Sequence, residues 1–193
     1  MALKPLYRQD LHIHTIYSTG DSAVVPEQTI KLVSKINHAE IIGISDHFEY
    51  LGDVYEKYRD EVYSYRFKLG TEVDGSRSVE AAAKLDFDYY IYHCWDSNPE
   101  DYRSVHKLLN TGKPVIIAHP YATGTKLEKI PEECYVEINN RYVYRYDWKA
   151  FFSGFTKKFR FVLSSDAHQP NWLNQNVSRM VAEELGIQET LLF

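Results

Sequence analysis

Seven short apolar runs punctuate the chain, at residues 10–16, 41–45, 67–73, 89–94, 115–118, 135–138 and 159–164. They are rich in Ile, Val, Tyr and Phe, and most are continuous rather than alternating. Strands buried on both faces read this way. Helical patterns fill several of the gaps. Residues 26–37 carry Ile30, Val33 and Ile36 on one side, with Pro26 at a plausible first helical position. Residues 98–110 open with Asn98 as N-cap and Pro99 behind it, and Gly112 stands just past the end. Residues 174–185 close before Gly186 in the same way. Residues 49–66 read as an interrupted, tyrosine-rich helix, and 78–85 as a short one.

Runs and helices in alternation predict a parallel α/β arrangement, either an open doubly wound sheet or a closed barrel. At 193 residues the chain suits one domain, residues 1–193. The apolar fraction of 44% is ordinary, and the formal charge of −5 gives no support for sequence-independent nucleic-acid binding. A nucleotide substrate stays open, because bound divalent cations can supply positive charge. The two cysteines, Cys94 and Cys134, form no CxxC pair and suggest a reducing compartment. The first ten residues hold no leader-like apolar stretch, and no run approaches the ~18 apolar residues of a membrane span. The expectation is a cytoplasmic protein without a membrane partner, its oligomeric state open.

The polar residues choose between the two architectures. His12 and His14 lie in DLHIHT, His47 in ISDH, His93 after IY, His119 after VIIA and His168 in SSDAH. Six of the eight histidines thus sit within or just after an apolar run. Asp21, Glu72 and Asp166 hold similar places in STGD, LGTE and LSSD. In a parallel barrel the C-terminal strand ends converge on one rim, so these side chains would meet there. His12-x-His14 and Asp166-x-His168 would point two groups the same way, since strand period is two. Neutral imidazole and carboxylate suit zinc, iron and manganese. Glu72 is the natural bridge, having two oxygens to share.

The ordered set DLHIHT, ISDH, GTE, YHC, IAHP and SSDAH resembles the polymerase and histidinol phosphatase (PHP) family, over residues 10–168. The resemblance implies a distorted (β/α)7 TIM-like barrel and a phosphoesterase with two or three divalent ions at its mouth. By motif, one ion would take His12, His14, Glu72 and Asp166. A second would share Glu72 and add His93 and His119. A third would take Asp21, His47 and His168. Many family phosphatases have a histidine near the place of Asp21, whereas the polymerase branch more often has an aspartate. The implied activity is hydrolysis of a small phosphorylated metabolite by metal-bound hydroxide, with Asp166, His168 or His93 protonating the leaving group. The alternatives are a phosphodiesterase or exonuclease, and a domain that binds metal without turnover.

Phosphate binding also calls for a basic side chain. Arg141 and Arg145 follow EINN, where the family often has one, and Asn139 could donate to substrate; the competing reading is a solvated basic face with Lys149. Tyr142, Tyr144, Tyr146 and Trp148 alternate, which favours strand or rim packing over stacking on a substrate ring. Asp10 and Asp46 adjoin ligands and suit either imidazole orientation or strand-end hydrogen bonding. His38 and His106 match no motif and read as ordinary. Cys94 should point away from the metals. Val177, Met180, Val181 and Leu185 form a stripe that should cover the barrel, with a dimer contact as the other use.

Overall fold

Seven strands form one all-parallel sheet in which chain neighbours are spatial neighbours: β1 (Tyr7–Asp10), β2 (Ala39–Ile44), β3 (Lys68–Asp74), β4 (Tyr89–His93), β5 (Val115–Ile117), β6 (Tyr135–Asn139) and β7 (Arg160–Ser164). The computed structural model describes residues 4–193; residues 1–3, the start of the stretch read as leader-free, lie outside the described residues. The sheet curls almost into a closed TIM-like barrel. Helices cover its outside: α1 (Ile30–Ile36), the short α2 (Phe48–Leu51), α3 (Tyr55–Ser64), α4 (Ser76–Ala82), α5 (Pro99–Leu109), the short α6 (Pro120–Thr123), α7 (Trp148–Phe152) and α8 (Asn176–Glu184).

Between β1 and β7 side chains do much of the closing. Ile13 and Ala167 make an isolated parallel bridge. The Ser165 N–H donates to Asp10 Oδ1 at 3.1 Å, and the buried Gln175 amide donates across the gap to Gln9 O at 2.8 Å and Leu163 O at 3.1 Å. Lower down, Thr190 N donates to Phe161 O at 2.8 Å, and Gln9 binds Thr190 O and Leu192 N.

Two apolar clusters result. The larger fills the space between strands and helices. The smaller is the lumen, with Leu11, Tyr89, Ile91, Ile116, Ala118 and Val162 buried and Ile41, Tyr135 and Leu192 packed against them. Tyr89 lies across the lumen and donates to Leu11 O at 2.6 Å. Its phenol runs so close to Gly43 and Gly70 that a Cβ at either would overlap it.

Several boundaries differ from the sequence expectation. The first strand is Tyr7–Asp10, so His12 and His14 lie just beyond it. Helix α1 starts at Ile30 rather than Pro26, because the Thr29 hydroxyl accepts from Leu32 N at 3.1 Å and caps it there. Helix α4 begins at Ser76, with Asp101 of α5 accepting its first N–H at 2.9 Å. That cap comes from 25 residues away, beyond any local pattern. The run 142–148 is not a strand; it is a 3-10 turn, Val143–Arg145, leading into α7. The stretch 49–66 is interrupted as expected, and the break is a 3-10 turn, Gly52–Val54, between α2 and α3; α5 is capped by Asn98. Of the C-terminal stripe, Val181 is buried and Val177 and Leu185 pack on the core, but Met180 is exposed. Among the described residues no helix is long and apolar enough to cross a membrane.

Candidate metal centre

Every strand delivers polar side chains to the C-terminal rim. His12 and His14 follow β1, His47 follows β2, Glu72 lies on β3, His93 ends β4, His119 follows β5, and Asp166 and His168 follow β7. Asp21 comes from the loop after β1. The structure brings all nine residues together, and ligand-type atoms form three close groups: His12, His14 and Asp166; Glu72, His93 and His119; and His14, His47 and His168. Asp21 borders the third, with Oδ2 2.8 Å from His168 Nε2 and 3.5 Å from His47 Nε2.

The spacing suits cations. Ligands about 2.1 Å from a tetrahedral zinc lie roughly 3.4 Å apart. His12 Nε2 is 3.1 Å from His14 Nε2 and 3.6 Å from Asp166 Oδ1; His93 Nε2 is 3.0 Å from His119 Nε2. Glu72 stands in the middle. Its Oε1 lies 2.5 Å from His93 Nε2 and 3.1 Å from His12 Nε2, and its Oε2 3.1 Å from His14 Nε2 and 3.2 Å from His47 Nδ1. Yet Oε1 is buried with no donor at a hydrogen-bonding angle. Converging lone pairs around an orphaned carboxylate oxygen are what a bound cation would satisfy. The donor set therefore fits divalent ions.

The electrostatics agree. Burial disfavours the charged form of Glu72, but His93, His12, His47 and His14 outweigh it and hold the carboxyl well below its ordinary range. Burial likewise opposes the charged form of His93, yet Glu72 and Asp74 push its pKa up to about 10. His12 is raised well above its usual value, because Glu137, Asp166 and Glu72 overcome its burial. His14 is lowered, by burial and by the neighbouring His168 and His47. The buried anionic charge draws positive charge toward it.

A cavity of about 350 Å³ opens above these groups, with Trp95, Arg141, Tyr142 and Tyr146 in its walls. Arg141 Nη1 reaches 3.1 Å from His168 Nε2, and its guanidinium lies over the rings of Tyr142 and Trp172, 4.8 and 5.1 Å from their centroids. Arg145 is exposed and lines a neighbouring cleft with Tyr144 and Trp172 that shares Arg141. Lys149 pairs with Glu184 at 2.7 Å instead.

Some residues have other work than the sequence suggested, and for others the structure selects one of the expected roles. Asn139, read as a substrate donor, is fully buried. Its amide donates to Asp166 Oδ2 at 3.0 Å and accepts from the N–H groups of Arg141 and Tyr142. Tyr142 and Tyr146 line the cavity rather than only packing the rim. Asp46 binds no imidazole through its carboxylate; it accepts from the backbone and hydroxyl groups of Thr15 and Ser18, tying down the loop behind His14. Asp10 pairs with the buried His38 at 2.8 Å, so His38 is part of the closing seam, while His106 is exposed on α5. Cys94 is buried and burial pushes its thiol up to about 12.

Glu137 was missed. It is fully buried on β6, 2.6 Å from His12 Nδ1 and 2.6 Å from His119 N, and it also accepts from Ser164 Oγ and Asn139 Nδ2. Its signal was present: a lone acid between Val136 and Ile138, two residues before Asn139 and on the same strand face. His119 and Asp166 also take positive φ values, 20° and 53°, uncommon away from glycine. Compared with known protein families and with curated proteins, the chain matches none.

Proposed function

We propose that this chain is a metal-dependent phosphoesterase of the polymerase and histidinol phosphatase type, hydrolysing a phosphomonoester of a small metabolite. The observation that carries the reading is the set of three ligand groups meeting on Glu72 beneath the guanidinium of Arg141. One ion would be held by His12, His14, Asp166 and Glu72, a second by Glu72, His93 and His119, and a third by His47 and His168 with Asp21. Zinc, manganese or iron ions, when bound, would activate water and clamp the phosphoryl oxygens.

The chain's own residues supply the rest. Arg141, stacked on Tyr142 and Trp172, offers a fixed planar cation to the substrate phosphate. Asn139 takes one oxygen of Asp166, leaving Oδ1 toward the cavity. An imidazole nitrogen that holds an ion has no proton to give, so His93 and His168 serve the leaving group only while not ligating through that atom. A second reading, a phosphodiesterase, draws on the cleft beyond Arg141, which gives room for a longer substrate.

The test is hydrolysis of an aryl phosphate monoester beside the matching diester by manganese-loaded protein. Faster monoester turnover is expected. Faster diester turnover would establish the second reading. Bound manganese with no turnover across a broad ester panel would overturn both and leave a metal-binding domain.

A further inference from the structure

We infer that Glu137 is a positioning residue that governs metal affinity at two ligand groups at once, by presenting His12 through Nε2 and by fixing the backbone that carries His119. The inference rests on the rim being a metal centre and is independent of whether that centre hydrolyses esters.

Glu137 differs from Glu72 in what its oxygens meet. Glu137 Oε1 faces His12 Nδ1 at 2.6 Å and accepts from the Ser164 hydroxyl; Oε2 accepts from His119 N at 2.6 Å and Asn139 Nδ2 at 3.2 Å. A carboxylate has about four lone-pair sites, and all of these have partners. Nothing is left for an ion. Glu72 Oε1, by contrast, is buried with no donor at a hydrogen-bonding angle, although His93 Nε2 lies 2.5 Å away.

The consequence for His12 is tautomeric. An ionised carboxylate only accepts, so His12 Nδ1 must carry the proton. In the neutral ring the lone pair then sits on Nε2, which faces Glu72 Oε1 and His14 Nε2 at 3.1 Å each. Without Glu137 the ring is free to take the other tautomer, which turns a donor toward the ligand cluster.

The consequence for His119 is conformational. Its φ of 20° and ψ of 60° lie outside the ordinary regions for a side-chain-bearing residue and need support from the surroundings. The Glu137 carboxylate holds the N–H of that residue. Its other partner, Asn139, continues the chain to Asp166 Oδ2 at 3.0 Å. Side chains that follow β1, β5 and β7 are thus referred to one buried anion on β6. Asp74 is a useful contrast. It is half exposed and meets only His93 among the ligands, at 3.2 Å.

The experiment is zinc titration of the full chain against a chromogenic chelator, with bound ions counted by elemental analysis. Loss of such a supporting partner typically weakens metal binding about 10–100-fold. Glu137→Gln should show that loss for more than one bound ion. Asp74→Asn should weaken one ion only. Ser164→Ala removes a donor to the same carboxylate but spares His12 and His119, and should bind zinc like the unmodified chain. Wild-type affinity in Glu137→Gln would overturn the inference. So would an equal loss in Ser164→Ala, which would reduce the effect to packing. Should Glu137→Gln not fold, long-range proton–nitrogen correlation on the zinc-loaded unmodified protein decides the matter. His12 should be protonated at Nδ1 and bound through Nε2; binding through Nδ1 would overturn it. Zinc binding as expected with no ester hydrolysis would sink the proposed function and leave this inference standing.

Discussion

The lumen-facing positions of β4 run Tyr89, Ile91, His93; those of β6 run Tyr135, Glu137, Asn139. Each strand starts apolar and finishes polar, so one barrel has two ends of opposite chemistry. At the N-terminal end Tyr89 fills the lumen, Leu192 packs below it, and the Phe193 ring lies 6.0 Å from that of Tyr89 with Lys68 above it at 4.4 Å. At the C-terminal end imidazoles and carboxylates crowd around Glu72. The apolar end gains stability by burial, which needs no ligand. The polar end buries charged groups, and at Glu72, His93 and His12 their attraction for one another outweighs the burial of each; its donor set fits cations. The difference teaches that fold and chemistry are divided along each strand, not between strands.

The sharpest way to break this division is Glu72→Ala. Every ligand group reads through or beside this carboxylate. The variant should bind no zinc or manganese at micromolar concentrations and lose hydrolysis to background, while its far-ultraviolet circular dichroism stays native. Elemental analysis and ester assays check both. An active, metal-free variant would sink the proposed function.

The ease of locating that end in the sequence has a physical cause. Histidines placed after apolar runs are conspicuous because imidazole has no reason to recur at strand ends unless something gathers it there. The seven runs also gave the strand count, since strands buried on both faces carry the pattern in themselves. What sequence could not supply was pairing across distance. Gln175 bridges Gln9 and Leu163, Asp101 caps α4, and Glu137 joins His12 to His119, each through contacts many residues apart. Nor did the local pattern show that Gly43 and Gly70 make room for Tyr89.

At the apolar end the counterpart is Tyr89→Ala. It removes a fully buried ring and its hydrogen bond to Leu11 O. Truncating a large buried aromatic costs about 3–5 kcal/mol. Denaturant unfolding should show a loss of that size, with ions per folded chain unchanged. A Tyr89→Ala protein that kept its stability but lost its ions would mean that the two ends are one unit.

Removing the ions from the intact chain should have a smaller effect, and one that depends on pH. A ligand at about 100 times its dissociation constant stabilises by about 2.7 kcal/mol, which chelation withdraws. In the stripped protein His93 is raised to about 10, and His12 and His47 are also raised, by the carboxylates that overcome their burial. A histidine raised in the folded state contributes stability that is full below its unfolded pKa, about 6.5, and lost as pH climbs through the folded value. The stripped protein should therefore weaken from pH 6.5 toward 10. The loaded protein should not, because ions compete with protons for the same nitrogens and bind better as pH rises. Plotted together, the two unfolding curves should diverge with pH, whereas the Tyr89→Ala loss should stay constant across it. Parallel curves for stripped and loaded protein would mean that these imidazoles are not held by the same charges that would hold the ions.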